Sequence, residues 1–219
     1  MKAYIFKVKP YMIHYSSSIR HKIDVIKLIL GISHYLIMAK PESFMNKYDK
    51  IGEEEIRLVI YVDKMRRVFL STENKIHSFH FPFCFYVRED RCFISCDNLK
   101  ITSAVCSVLE ATFMKLSESC TIENILENYW DVASDFKIPK EESILYSRLI
   151  VGMLSFEPGY LRYDYDVIRR KEGVHPEYHL DINYSNSASF KIGLIGSFSE
   201  DDLINVLDIN AHCLYLTKN

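Results

Sequence analysis

The chain reads as an α+β protein, with mainly antiparallel sheet packed on helices. Three observations predict this class. Short runs rich in Val, Ile, Phe and Tyr cluster in the first half and again after residue 158. Between and after them lie segments with apolar residues at helical spacing. Glycine and proline are scarce, seven and six in 219 residues, so long flexible linkers are not expected.

The first helix is expected after Ser16, Ser17 and Ser18, which supply an N-cap, with Ile19, Ile23, Ile26 and Leu30 on one stripe. Gly31 is expected to end it. The runs "EIRLVIYVD" and "RRVFLST" read as two strands joined near Lys64 and Met65. "SFHFPFCFYVRE" and "RCFISCD" read as a second hairpin turning at Asp90, with Pro82 marking an edge or a break. Together they predict one meander with one apolar face.

Ile101, Val105, Val108, Leu109, Thr112, Phe113 and Leu116 then trace a helical stripe. Thr121 is expected to cap a helix holding Ile122, Ile125, Leu126, Tyr129 and Trp130. Pro139 suits the first turn of a third, which carries Ile144, Leu145, Leu149, Ile150 and Met153 and ends near "EPG". Three strands follow, "YLRYDYDV", "EYHLDINY" and "ASFKIGLI", and then a helix after Ser199 with Asp202 three residues on. That helix is expected to bury Leu203, Val206 and Leu207, and with them Cys213 and Leu214. The chain is read as a single domain, 1–219. A sub-division near 120 would separate a helix, meander and helix (1–120) from helices and the C-terminal sheet (121–219).

The formal net charge is -2, which argues against a whole-surface nucleic-acid binder but not against a local basic patch. No apolar run reaches the roughly 18 residues of a membrane span, so no membrane partner is expected. "MKAYIFKVKP" has no signal-peptide core, and the reading is cytoplasmic. The six cysteines are then expected to be reduced, and mostly buried and inert. No cofactor is expected. A zinc site gathering His77, His80, Cys84, Cys92 and Cys96 is disfavoured, because Cys92 and Cys96 would lie roughly 13 Å apart along a strand.

Alternate strand residues share a face, so Arg162, Asp164 and Asp166 lie together, as do His179, Asp181 and Asn183, and Ser189 and Lys191. If the three strands pair in chain order, these groups meet on one surface, opposite an apolar wall for helices. One reading makes this the solvated face of a one-sided sheet. Another makes it a site. His179 would be general acid or base with His175 as its partner, Asp164 the orienter, and Arg162 and Lys191 the phosphate clamps. A third gives a metal to His175, His179 and Asp181, with His175 in the turn.

The block "YLRYDYD", "HPEYHLDINYS" and "FKIGLIGSFSEDDLINVLDINAHCLYL" resembles the bacterial domain-of-unknown-function family 2290. The matching positions are Leu161, Arg162, Asp164, His175, Pro176, His179, Leu180, Ile182, Lys191 and Tyr215. Asp181 and Asn183 stand where that pattern has a histidine or glycine, and Lys191 where it has arginine. The match covers roughly the last 60 residues. A looser likeness links "RYDYD…HP…H" to small bacterial toxins of toxin–antitoxin pairs. These resemblances imply a defence-related or RNA-directed role. Two functions follow as expectations. One is a non-catalytic or accessory subunit of a bacterial, anti-phage defence or toxin–antitoxin-type assembly, acting through protein partners or as a homo-oligomer. The other is a metal-independent ribonuclease or phosphodiester-acting toxin using Arg162, Asp164, His175 and His179. Whether the chain is an enzyme is left open.

Overall fold

Ten strands divide between two antiparallel sheets among the described residues of this computed structural model, which are 2–15, 18–47, 49–52, 54–114, 121–184 and 190–215. The larger sheet takes strands from both ends of the chain. They are β1 (Ala3–Val8), β2 (Ile56–Tyr61), β3 (Arg67–Ser71), β4 (Lys75–His80), β8 (Leu161–Tyr165), β9 (Tyr178–Ile182) and β10 (Phe190–Gly193), hydrogen-bonded in that order. The smaller sheet is β5 (Cys84–Arg88), β6 (Arg91–Cys96) and β7 (Leu99–Ile101). Five helices accompany them: α1 (Lys22–Met38), α2 (Ser103–Met114), α3 (Ile122–Asp135), α4 (Lys140–Ser155) and α5 (Glu200–Leu207). The α+β class is therefore as expected.

The expected single meander is instead split. Phe81–Phe83, around Pro82, separates β4 from β5, and β5 starts the second sheet. Proline lacks the N–H that a continuing ladder needs, so the chain changes sheet there. The second hairpin turns at Glu89 and Asp90, both with positive φ, the geometry of a tight two-residue hairpin. The N-terminal segment forms β1, which pairs with β2 along its whole length.

Helix α1 starts later than expected and does not stop at Gly31. His21 is its cap, in a reciprocal pair with Asp24. Ser16 and Ser17 lie outside the described residues. Gly31 sits mid-helix because the chain at Ile13 crosses it: a Cβ there would meet the Ile13 carbonyl oxygen at 2.7 Å. Thr121 caps α3 and Ser199 caps α5, each through a capping box, with Asn124 and Asp202 respectively. Pro139 occupies the cap position of α4.

The two faces of the large sheet bury different clusters. Phe6, Leu58, Leu70 and Phe79 join the main core with α1, α2, α3 and α4. Ile125 and Tyr129 belong to the same cluster as Phe6, so the apolar core continues across position 120. The opposite face packs Val59, Phe69, Ile76, Leu161, Tyr163 and Leu180 against Leu203 and Ile204 of α5. This is the expected apolar wall. It is incomplete at the edge, where Phe190 is exposed. Because α5 ends at Leu207, Cys213 and Leu214 are exposed instead of buried, and Val206 is also exposed. Cys92 and Cys106 are buried, but Cys84 is exposed; Cys120, Leu116 and Ser189 lie outside the described residues. No helix among the described residues is long and apolar enough to cross a membrane.

Candidate anion-binding site on the sheet

One transverse row crosses all seven strands in direct register: Phe6, Leu58, Leu70, His77, Arg162, Asp181 and Lys191. Residues directly opposite one another share a face. The row therefore starts as core and becomes polar at β4. A second row sets Lys75, Asp164 and His179 side by side. The expected pairing of the C-terminal strands in chain order is what joins the two halves of the site.

The polar rows are not an open wet face. Asp164, His179 and Asp181 are 2%, 0% and 6% exposed, so their charges need partners from the protein. His77 is buried as well. Its Nδ1 lies 2.9 Å from the Tyr160 hydroxyl and its Nε2 3.0 Å from the Tyr15 hydroxyl. Burial, reinforced by the nearby Arg162 charge, pushes the His77 pKa down to about 3, so His77 is neutral near pH 7. One tyrosine then donates to the ring and the other accepts from it.

Arg162 is the hub. Its Nη2 lies 2.7 Å from Asp164 Oδ2 and donates to Asp181 Oδ2 as well. Lys75 approaches the other Asp164 oxygen at 3.6 Å, and Lys191 approaches Asp181 Oδ1 at 3.3 Å. Burial alone would raise the Asp164 pKa. His179 together with the Arg162 and Lys75 charges outweighs burial and holds the carboxyl well below its usual range. Asp164 is therefore ionised inside the fold.

The two histidines take different places. His179 Nδ1 lies 2.8 Å from the Pro176 carbonyl oxygen, so Nδ1 carries the donated proton. Its Nε2 points at Asp164 Oδ2 (3.5 Å) and Asp181 Oδ2 (3.8 Å) without a hydrogen bond. His175 is partly exposed. Its ring packs edge-on against His179, its Nε2 lies 3.4 Å from Asp166, and its Nδ1 lies 3.4 Å from Lys191 Nζ. Burial, Lys191 and His179 lower the His175 pKa.

Above this layer is an open polar cavity of about 210 Å³. Lys75, Arg162, Asp181 and Lys191 form its floor, and Arg20 and Arg169 stand on its rim. Tyr160 and Tyr184 line one side with rings 5.7 Å apart.

All five expected site residues, Arg162, Asp164, His175, His179 and Lys191, therefore gather in one region. Only Arg162 and Lys191 line the cavity itself. His179 lies beneath the floor with one nitrogen tied to backbone, which favours a positioning or ligating role over direct proton transfer. His175 is the more accessible imidazole. The cysteine-centred zinc reading does not assemble: among the described residues, only Asp164, His179 and Asp181 bring three candidate ligand atoms together, within 4.8 Å of one another. His175 is absent from that group and Asp164 takes its place.

Sequence reasoning missed Lys75, Arg20, Arg169 and Tyr160. Lys75 and His77 join the site only through the β4–β8 pairing across some 85 residues, for which the sequence carries no local signal. Arg169 lies in "VIRRKEG", a basic run directly after a site strand, and that run is its local signal. No family model matches the chain, and no curated protein or solved structure matches it.

Proposed function

We propose that this sheet face binds phosphate groups of a phosphodiester ligand, with RNA as the preferred class. One observation carries the reading. Arg20, Lys75, Arg162, Arg169 and Lys191 converge on a single open cavity. Among the described residues, Arg162 pairs with Asp164, Arg169 with Asp166 and Lys191 with Asp181. This convergence of cationic side chains stands on a chain whose net charge is -2. Such a concentration of like charge at a concave surface attracts an anion. The partly buried Tyr184 ring, which lines the same cavity, would suit stacking of a base, and stacking tolerates any sequence. His175, held between Asp166 and Lys191 beside the cavity, is the imidazole that would serve chemistry on a bound phosphodiester.

The test is fluorescence anisotropy with a labelled single-stranded oligoribonucleotide, with inorganic phosphate as competitor. Binding that weakens several-fold in Arg169→Ala and in Lys191→Ala supports the reading. A wild type that binds neither probe removes it. Growth arrest on induction in a bacterial host, lost in Arg162→Ala, would extend binding to a toxic activity.

A second reading rests on another surface. Leu126, Trp130, Ser147, Arg148 and Val151 line a shallow, mainly apolar groove of about 290 Å³ between α3 and α4, and Trp130 is 48% exposed. Exposed tryptophan is typical of protein contacts. This supports the role of accessory subunit in a defence or toxin–antitoxin-type assembly, and loss of co-purifying protein or of self-association in Trp130→Ala would test it.

A further inference from the structure

We infer that Asp164, His179 and Asp181 form a site for one first-row divalent cation of the Zn²⁺ or Mn²⁺ kind, beneath the cavity floor. The geometry begins with the His179 tautomer. Its Nδ1 is committed to the Pro176 carbonyl, which leaves Nε2 as the ligating nitrogen. That nitrogen is fully buried, lacks a hydrogen-bond partner and faces two carboxylate oxygens at 3.5 and 3.8 Å. Three candidate ligand atoms, one from each of Asp164, His179 and Asp181, thus lie within 4.8 Å of one another inside the fold, close enough to share a single ion. Ligands about 2.1 Å from a tetrahedral ion lie roughly 3.4 Å from one another, close to both separations. A histidine whose other ring nitrogen bonds a backbone carbonyl is also the usual form of a metal-bound imidazole.

Arg162 already supplies a cation there, but it fits poorly. A guanidinium matched to a carboxylate pair uses its fork, with two nitrogens on two oxygens. Here Nη2 alone serves both Asp164 and Asp181, while the buried Nε has no hydrogen-bond partner. Six buried side-chain atoms among the described residues lack a hydrogen bond. Five of them lie in this cluster: Asp164 Oδ1, Asp181 Oδ1 and His175 Nε2, which have only longer ion-pair contacts with Lys75, Lys191 and Asp166, and Arg162 Nε and His179 Nε2. Ion and guanidinium therefore compete for one place. Loading the ion turns Arg162 toward the cavity it already lines, where its charge becomes available to an anionic ligand. Asp181 is the ligand that reaches the cavity, so the ion's remaining coordination positions open on that side.

The site stands apart from the phosphate reading, since its ligands and its test need no phosphate. Chelator-treated full-length protein is titrated with Co²⁺, followed by its visible ligand-field bands, and Zn²⁺ is then added as competitor. The expected result is one equivalent bound, without the near-ultraviolet charge-transfer band of a cysteine ligand. Affinity should fall at least tenfold in Asp164→Asn, His179→Gln and Asp181→Asn. Arg162→Ala should bind at least as tightly as wild type and gain more thermal stability from the ion. Asp181→Asn keeps the side chain's shape at the cavity wall, and the wild-type titration needs no variant at all. A wild type that takes up neither ion, a sulfur charge-transfer band, or unchanged affinity in Asp181→Asn overturns the site.

Discussion

Arg162 and Asp181 face one another across the β8–β9 pair, and the nitrogen that Arg162 gives to Asp181 is the one it also gives to Asp164. Two buried carboxylates thus depend on one guanidinium. Removing it leaves both short of their main counter-charge, and breaking such a buried pair costs about 3–5 kcal/mol. Arg162→Ala is expected to lower stability by about 3 kcal/mol in metal-free buffer. The Arg162→Ala, Asp164→Asn, Asp181→Asn triple variant should regain a good part of that loss. Urea unfolding of both proteins checks this. A single variant as stable as wild type would show that water or the lysines already screen the carboxylates.

His77 makes stability depend on pH below neutrality. Its folded pKa is near 3, against 6.5 for the free side chain, so the unfolded chain binds the proton more readily. The stability it permits is complete above pH 6.5 and falls as pH drops toward 3. The groups facing it are Tyr15, Tyr160, Arg162, Asp164 and Lys75, and Asp164 titrates below the upper part of this window. By about pH 5 the stability lost through His77 should reach roughly 2 kcal/mol. His80 and His175, whose pKa values are also lowered, add to the slope. Urea unfolding between pH 5 and 7 should show a shallower slope in His77→Gln than in wild type. Equal slopes would assign the effect elsewhere.

The C-terminal strands were legible because their alternation is local. Each of "RYDYD" and "HLDIN" declares its polar side within five residues, and as consecutive strands they pair in chain order. The caps at Thr121 and Ser199 were equally local. What could not be read was long-range. Nothing in "KIHSFH" says that β4 will pair with β8, so Lys75 and His77 were invisible as neighbours of Arg162. Burial is not legible either. Alternation shows that a strand has two faces, but not that the chain around Tyr15 and Ile19 will cover the polar one. Gly31 misled for the same reason: a glycine needed for a close crossing looks, in sequence, like a helix stop.

That crossing makes glycine replacements in two helices oppose each other. Gly31→Ala improves helix propensity by about 1 kcal/mol but forces a methyl against the Ile13 carbonyl at 2.7 Å. Backbone cannot yield there cheaply, and a net loss of about 1–3 kcal/mol is expected. Gly152, inside α4, has nothing within 4 Å of its would-be Cβ. Gly152→Ala should therefore stabilise by about 0.5–1 kcal/mol. Paired thermal melts decide the matter, and a stabilised Gly31→Ala would mean that the two segments are not in contact.

The phosphate reading makes its sharpest claim about salt. Each phosphate neutralised on a single strand adds about 0.7 to the slope of log affinity against log salt. Arg169 reaches the cavity rim from outside the sheet and is mostly exposed, and its Asp166 partner is also served by His175. Arg169→Ala should therefore leave the fold intact while removing one phosphate contact. Its oligoribonucleotide binding is expected to weaken several-fold at low salt, with the slope reduced by about 0.7. Lys100→Ala supplies the control, because Lys100 lines a different cavity beside the small sheet. An equal loss in both variants would mean that RNA sees only the overall charge of the protein. A loss confined to Arg169→Ala, with the reduced slope, would locate the backbone of the ligand at the rim above Arg162.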